Sequence, residues 1–217
     1  MNLSLFAKSL AVNITLAVIP VVAAYLIVWV SRLTKKTGWR LLLITPLTLL
    51  WLVFLPNTCY LLTEWRHLFE RVSCDLIYRA QTDKILLVQL STVMLFYMLY
   101  SGFGMLTFAL AIRPVRRLAT KRGVSIWFWA FPFFAAVSLG VYLGLVLRFN
   151  SWDLAMNPEV VWAAIVEIGG RPWLATFIAA FGIFLWIGYE TVDIWIDGFI
   201  NRLSQITGRN LHLTSGR

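Results

Sequence analysis

Charge is scarce in this chain. Only 13% of its residues are Asp, Glu, Lys or Arg, and it holds two histidines and two cysteines. Those few His and Cys residues are not at zinc-site spacing. The chain also has no Gly-rich phosphate loop and no nucleophile elbow, so the common metal, nucleotide and acyl-transfer signatures are excluded. It has no internal repeat and no low-complexity linker. A cleaved leader is not expected either: the first apolar run, 10–30, is too long for the hydrophobic region of a signal peptide and is followed at once by four cations.

What is abundant is apolar surface. Hydrophobic residues make up 60% and aromatic residues 15%, with mean hydropathy +0.78. The 217 residues suffice for one domain, but a water-soluble core of that size does not need so much apolar material. Several runs approach the ~20 residues that cross about 30 Å of hydrocarbon. They are continuous rather than alternating, which argues against a barrel. The expected fold is all-α: a polytopic helical membrane bundle of about five transmembrane helices, forming one integral membrane domain over 1–217. The spans are 10–30, 41–62, 84–112, 124–147 and 173–195.

The net charge is +9, yet its distribution does not suit nucleic acid. The cations gather between apolar runs, as Arg32, Lys35, Lys36 and Arg40, and as Arg113, Arg116, Arg117, Lys121 and Arg122. Under the positive-inside rule both clusters are cytoplasmic loops, with attraction to anionic headgroups as a by-product. The N-terminus is then outside and the C-terminus inside. Segments 57–83 and 148–172 lie outside, where four acids meet three arginines and three acids meet two.

Each outer segment should hold a short interfacial helix. In the first, Thr63 would cap residues 64–72, with Trp65, Leu68, Phe69 and Val72 apolar and Glu64, His67 and Arg71 on another side. In the second, Asn157 is a natural N-cap and Pro158 suits the first helical position. Val160, Val161, Ala164, Ile165 and Ile168 make the stripe, and Gly169-Gly170 ends it.

Two constellations carry chemistry. The first is Asn57, Tyr60, Glu64 and His67, which contains Glu-x-x-His. A carboxylate and an imidazole three residues apart can hold a metal from one helix face. The second is Arg148, Asn150, Ser151 and Asp153: a cation, an amide, a hydroxyl and a carboxylate within six residues. The plain alternatives are a solvated face on an interfacial helix, and a snorkelling arginine ahead of a turn. Ala136, Gly140 and Gly144, spaced by four, read as a helix-packing groove. Glu190, Asp193 and Asp197 share one face, and Trp173 to Glu190 is about 25 Å of helix. The acids therefore read as a wet helix end in preference to a proton path. Cys59 and Cys74 either close a disulfide or, as favoured, remain two buried free thiols.

The segment "FLPNTCYLLTEWRHL" resembles the FPNAPYIITDLIHL-type motif of the bacterial domain-of-unknown-function 1361 family. "GVYLGLVLRFNSWDLAMNP" is similar to that family's GIYLGRFLRWNSWDLL-type motif, and "TDKILLVQLS…YSGFGM" is similar to its YDLLLLLSFAWTGLLLG segment. The resemblance covers about residues 50 to 160. It implies that the recurring positions are Pro56, Asn57, Tyr60, Thr63, His67, Asp83, Arg148, Asn150, Ser151, Trp152 and Asp153. Glu64 stands where the family has aspartate, and Thr82 where it has an aromatic. The resemblance implies an integral membrane protein of the bacterial cytoplasmic membrane and no assigned reaction.

The leading expectation is an outward-facing polar site that binds or processes a polar group at the membrane surface, such as a lipid headgroup or a lipid-linked substrate. Glu64, His67 and Asp153 would be its catalytic groups or the ligands of a divalent metal. Asn57, Tyr60, Arg148, Asn150, Ser151 and Trp152 would bind substrate, with Arg148 as anion clamp. The alternatives are a non-catalytic accessory or assembly subunit that docks a membrane partner protein, and a small permease. The lipid bilayer is the expected surrounding and nucleic acid is not an expected partner.

Overall fold

A computed structural model describes residues 3–33, 37–65, 68–69, 72–149 and 156–207, without the side chains of 3–7, 9, 37, 126 and 127. The described residues form seven helices and no strand: α1 (Leu3–Leu33), α2 (Thr37–Thr63), α3 (Cys74–Ala80), α4 (Lys84–Lys121), α5 (Ile126–Leu145), α6 (Pro158–Gly169) and α7 (Pro172–Thr207). Five of them, α1, α2, α4, α5 and α7, are long and apolar enough to cross a membrane. The helical reading holds because only a helix closes all its backbone hydrogen bonds within one segment in lipid. The chain is a multi-pass membrane protein.

The helices pack as two bodies. Helices α1, α2 and α4 pack on one another, and α5 packs along α7. The bodies meet where α2 crosses α5 and where α4 meets α7. One apolar core runs through both, from Ala24 and Leu55 to Phe108, Phe134 and Leu185. Trp51 ties α2 to α4 by donating its indole N–H to the Ala111 carbonyl at 2.9 Å, and its ring stacks on Phe133 of α5.

Several expected boundaries move. Helix α4 does not stop at 112. It runs 38 residues, roughly 57 Å, straight through the stretch expected to be a basic loop. Helix α7 likewise runs on to Thr207. The reason is pairing: Arg113, Arg116 and Arg117 on α4 meet Glu190, Asp193 and Asp197 on α7. Those acids are ion-paired, and Asp197 at the outermost turn is still 42% exposed.

The loop helices also differ. Thr63 closes α2, and its hydroxyl donates back to the Tyr60 carbonyl at 2.9 Å. Trp65, Leu68 and Phe69 are helical and Val72 is not. Leu68 is buried whereas Phe69 is exposed, so the expected apolar side is split. Residues 66, 67, 70 and 71 of that expected helix lie outside the described residues, and a further short helix, α3, follows it, where the Ser73 hydroxyl accepts from Leu76 N at 3.2 Å. Helix α6 appears where expected, with Val161 and Ile168 buried against Tyr142, Leu143 and Leu174. Asn157 occupies its cap position, but its side chain makes no capping bond. Both cysteines are free. Cys59 is buried as expected, and Cys74 is exposed rather than buried.

Candidate functional site

The C-terminal turns of α2 hold the first constellation. Asn57 and Thr58 are buried in the bundle, and the Thr58 hydroxyl is satisfied by the Leu55 carbonyl at 2.7 Å. Pro56 and Tyr60, one turn apart, face α5. A Cβ added at Gly140 would fall 2.6 Å from Pro56 Cγ, and one at Gly144 would collide with the Tyr60 hydroxyl. The groove expected at Gly140 is thus filled by α2 of the same chain. Small residues let the two backbones approach, which is how apolar helices gain contact when lipid is as apolar as they are.

That crossing brings two segments to one end of the bundle. Glu64 lies one turn beyond Tyr60, and Arg148 lies four residues beyond Gly144. The third segment joins them. In "YSGFGM", Gly104 of α4 sits against Leu61: a Cβ there would lie 2.6 Å from Leu61 Cβ. Ser101 of the same segment receives the Trp65 indole N–H at 2.7 Å and donates to the Leu61 carbonyl at 3.3 Å. The Trp65 ring lies against Tyr97, with centroids 6.1 Å apart.

Glu64 is half-buried and held from α1. Asn13 Nδ2 donates to Glu64 Oε1 at 3.0 Å, a charge-assisted bond that fixes where the carboxylate points. Tyr100, stacked on Phe96, is buried nearby, and its hydroxyl has no hydrogen-bond partner among the described residues. Asn13, Tyr97, Tyr100 and Ser101 were not among the expected site residues. Asn13 had a visible signal, as the one amide in the first apolar run, and Tyr100 and Ser101 fall in the third similar segment.

Arg148 is exposed and adopts φ 59°. That left-handed region usually goes to glycine or asparagine at a helix end. Here it ends the turns after α5, with Phe149 N donating to the Leu143 carbonyl at 3.1 Å. Asp83 has a different part: it caps α4, its Oδ1 accepting from Ile85 N at 2.9 Å and Leu86 N at 3.2 Å. His67, Asn150, Ser151, Trp152 and Asp153 lie outside the described residues. Of the expected site, the structure therefore brings Asn57, Tyr60, Glu64 and Arg148 to one end. Among the described residues no group of three or more His, Cys, Asp or Glu side chains is placed to hold a metal ion, and two of the three expected ligands are not described.

No curated protein and no solved structure matches the chain. The model of the DUF1361 family, described as a protein of unknown function, matches residues 12–187, a stretch that contains all three converging segments and Asn13. The chain belongs to the DUF1361 family.

Proposed function

We propose that the Glu64 end of the bundle faces outward from a bacterial cytoplasmic membrane, with the N-terminus outside and the C-terminus inside. It binds or processes a polar group at the membrane surface, a lipid headgroup or the head of a lipid-linked substrate. One observation carries this reading: three segments far apart in sequence, around 56–65, 100–104 and 140–148, meet at that end. Glu64 serves as base or metal ligand, with His67 and Asp153 as its partners. Arg148 serves as anion clamp, and Asn57, Tyr60, Asn150, Ser151 and Trp152 line the substrate. Support for a working role comes from two costs. A half-buried carboxylate is expensive unless it is bonded, and Asn13 is spent on it. A non-glycine residue in the left-handed region costs about 1–2 kcal/mol and is retained at Arg148.

The accessory-subunit alternative loses one of its two motives, because Pro56 and Tyr60 already occupy the Gly140/Gly144 groove. The test is native mass spectrometry with metal analysis on detergent-purified parent, Glu64→Gln and Arg148→Gln. Retention of a lipid or lipid-linked mass by the parent and its loss from both variants supports the proposal. Equal retention in all three overturns it, and a co-purified protein in place of a lipid assigns the accessory reading.

A further inference from the structure

The contacts that join the two bodies are of opposite kinds. Near the Glu64 end, α2 meets α5 through the Pro56 ring and the Gly140 backbone. Neither has a rotamer to change, so this crossing is a fixed point. At the far end, α4 meets α7 through the tips of long charged side chains. Arg113 Nε lies 3.2 Å from Asp193 Oδ1, and its Nη2 bonds Asp197. Arg116 reaches Glu190 at 3.0 Å and Asp193 at 3.8 Å, and Arg117 reaches Asp197 at 2.8 Å. Below them Gly188 is covered by Met105, a flexible side chain that yields readily.

Three cations face three anions, so the closed network is neutral as a set. It is graded from dry to wet: Arg113 is 7% exposed, Asp197 42% and Arg117 45%. The wet pairs hold weakly because water competes for them and salt screens them. The dry pair gives up much of its attraction to desolvation. Closure also leaves a buried polar atom unserved: Arg113 Nη1 makes no hydrogen bond among the described residues. Water entering the seam would satisfy it. The apolar part of the seam offers little resistance, since lipid replaces its contacts at small cost.

We infer that the α4–α7 ion network is a reversible clasp: the α5–α7 body swings away from the α1–α2–α4 body at the Arg113 end and pivots at the Pro56–Gly140 crossing. The clasp makes that end of the seam responsive to ionic conditions. It is independent of what the Glu64 end binds.

Spin labels report the motion directly. In a Cys74→Ser background, one pair at Thr120 and Asn201 spans the clasp and a second at Phe69 and Val146 spans the seam near the pivot; all four positions are exposed. In nanodiscs, raising salt from 0.1 to 1 M shortens the screening length from about 10 to about 3 Å. A longer Thr120–Asn201 distance should then gain population while the Phe69–Val146 distance holds. Asp197→Asn at low salt should give the same shift. One clasp distance unmoved by salt overturns the proposal and makes the network a static strut. Broadening of both pairs together also overturns it, because the network would then hold the whole fold. The salt series on the otherwise unchanged chain decides the matter even where Asp197→Asn fails to fold.

Discussion

Gly140→Ala adds a single methyl group where α5 crosses the rigid Pro56 ring of α2. Its carbon would lie 2.6 Å from Pro56 Cγ and 3.3 Å from Pro56 Cβ, whereas apolar carbons rest about 3.5–4.0 Å apart. The overlap is therefore roughly 1 Å. A long side chain would swing aside, but a proline ring inside a helix is locked to the backbone. Relief must come from moving the helices apart, which thins every contact along the crossing. Overpacking of this kind costs about 1–3 kcal/mol. Against it stands the gain of about 1 kcal/mol for replacing glycine by alanine inside a helix.

Gly102 supplies the control, because a Cβ there has nothing within 4 Å. Gly102→Ala should keep the helix gain and lose nothing. The difference between the two alanine variants then isolates the packing term, about 1–3 kcal/mol. For a chain of this size that is a gap of roughly 2–12 °C in detergent melting temperature, on the scaling for soluble domains. Gly140→Leu should fall further, and Leu143→Met, a volume-conserving change, should be mild. Pro56→Ala removes the colliding Cγ and leaves only the 3.3 Å contact to Cβ, so in that background Gly140→Ala should cost less, a favourable coupling in a double-mutant cycle. Equal melting of Gly140→Ala and Gly102→Ala, or strict additivity with Pro56→Ala, would refute the crossing.

Three further outcomes are expected. Asn13→Leu removes one donor to the half-buried Glu64 carboxylate and should lower stability by between about 0.6 kcal/mol, the average for membrane helices, and about 3 kcal/mol, the upper value for bonds to charged groups; thermal melting beside Asn13→Gln measures it. Asp83→Ala removes both capping bonds of α4 and should cost about 0.5–2 kcal/mol, with Asp83→Asn milder in the same assay. In intact cells of a Cys74→Ser background, a membrane-impermeant maleimide should label cysteine at Asn157 and spare it at Lys36 and Thr120, and the reverse pattern would invert the proposed topology.

The five long helices were legible because their signal is local. A continuous apolar run states the environment of each residue without reference to any other part of the chain. What stayed hidden was nonlocal. Nothing within 113–122 says that its arginines have partners about 80 residues away, so the cations read as a loop until the acids of α7 are set beside them. Thr63 is ambiguous for a related reason: a threonine hydroxyl serves equally as a cap for the next helix or as a donor to its own, and here it donates to the Tyr60 carbonyl. The Gly140 stripe announced a close neighbour but could not name Pro56. The Asn13 amide was conspicuous in an apolar run, yet only the packing of α1 on α2 reveals that it serves Glu64.

The family-like positions divide by what holds them. Pro56 and Tyr60 fill glycine notches, Thr63 closes α2, and Asp83 caps α4. Each is accounted for by architecture, and each would recur in this fold whatever the chemistry. Glu64 and Arg148 are not explained in that way. A half-buried carboxylate destabilises unless donors are provided, and a left-handed arginine costs what a glycine would avoid. Both lie just beyond the ends of the two helices that the notches lock together, so the architectural residues fix the relative position of these two proposed site residues. A motif that mixes both kinds is what the proposed site on two crossing helices would require, because its groups cannot be held in register unless the crossing is held first.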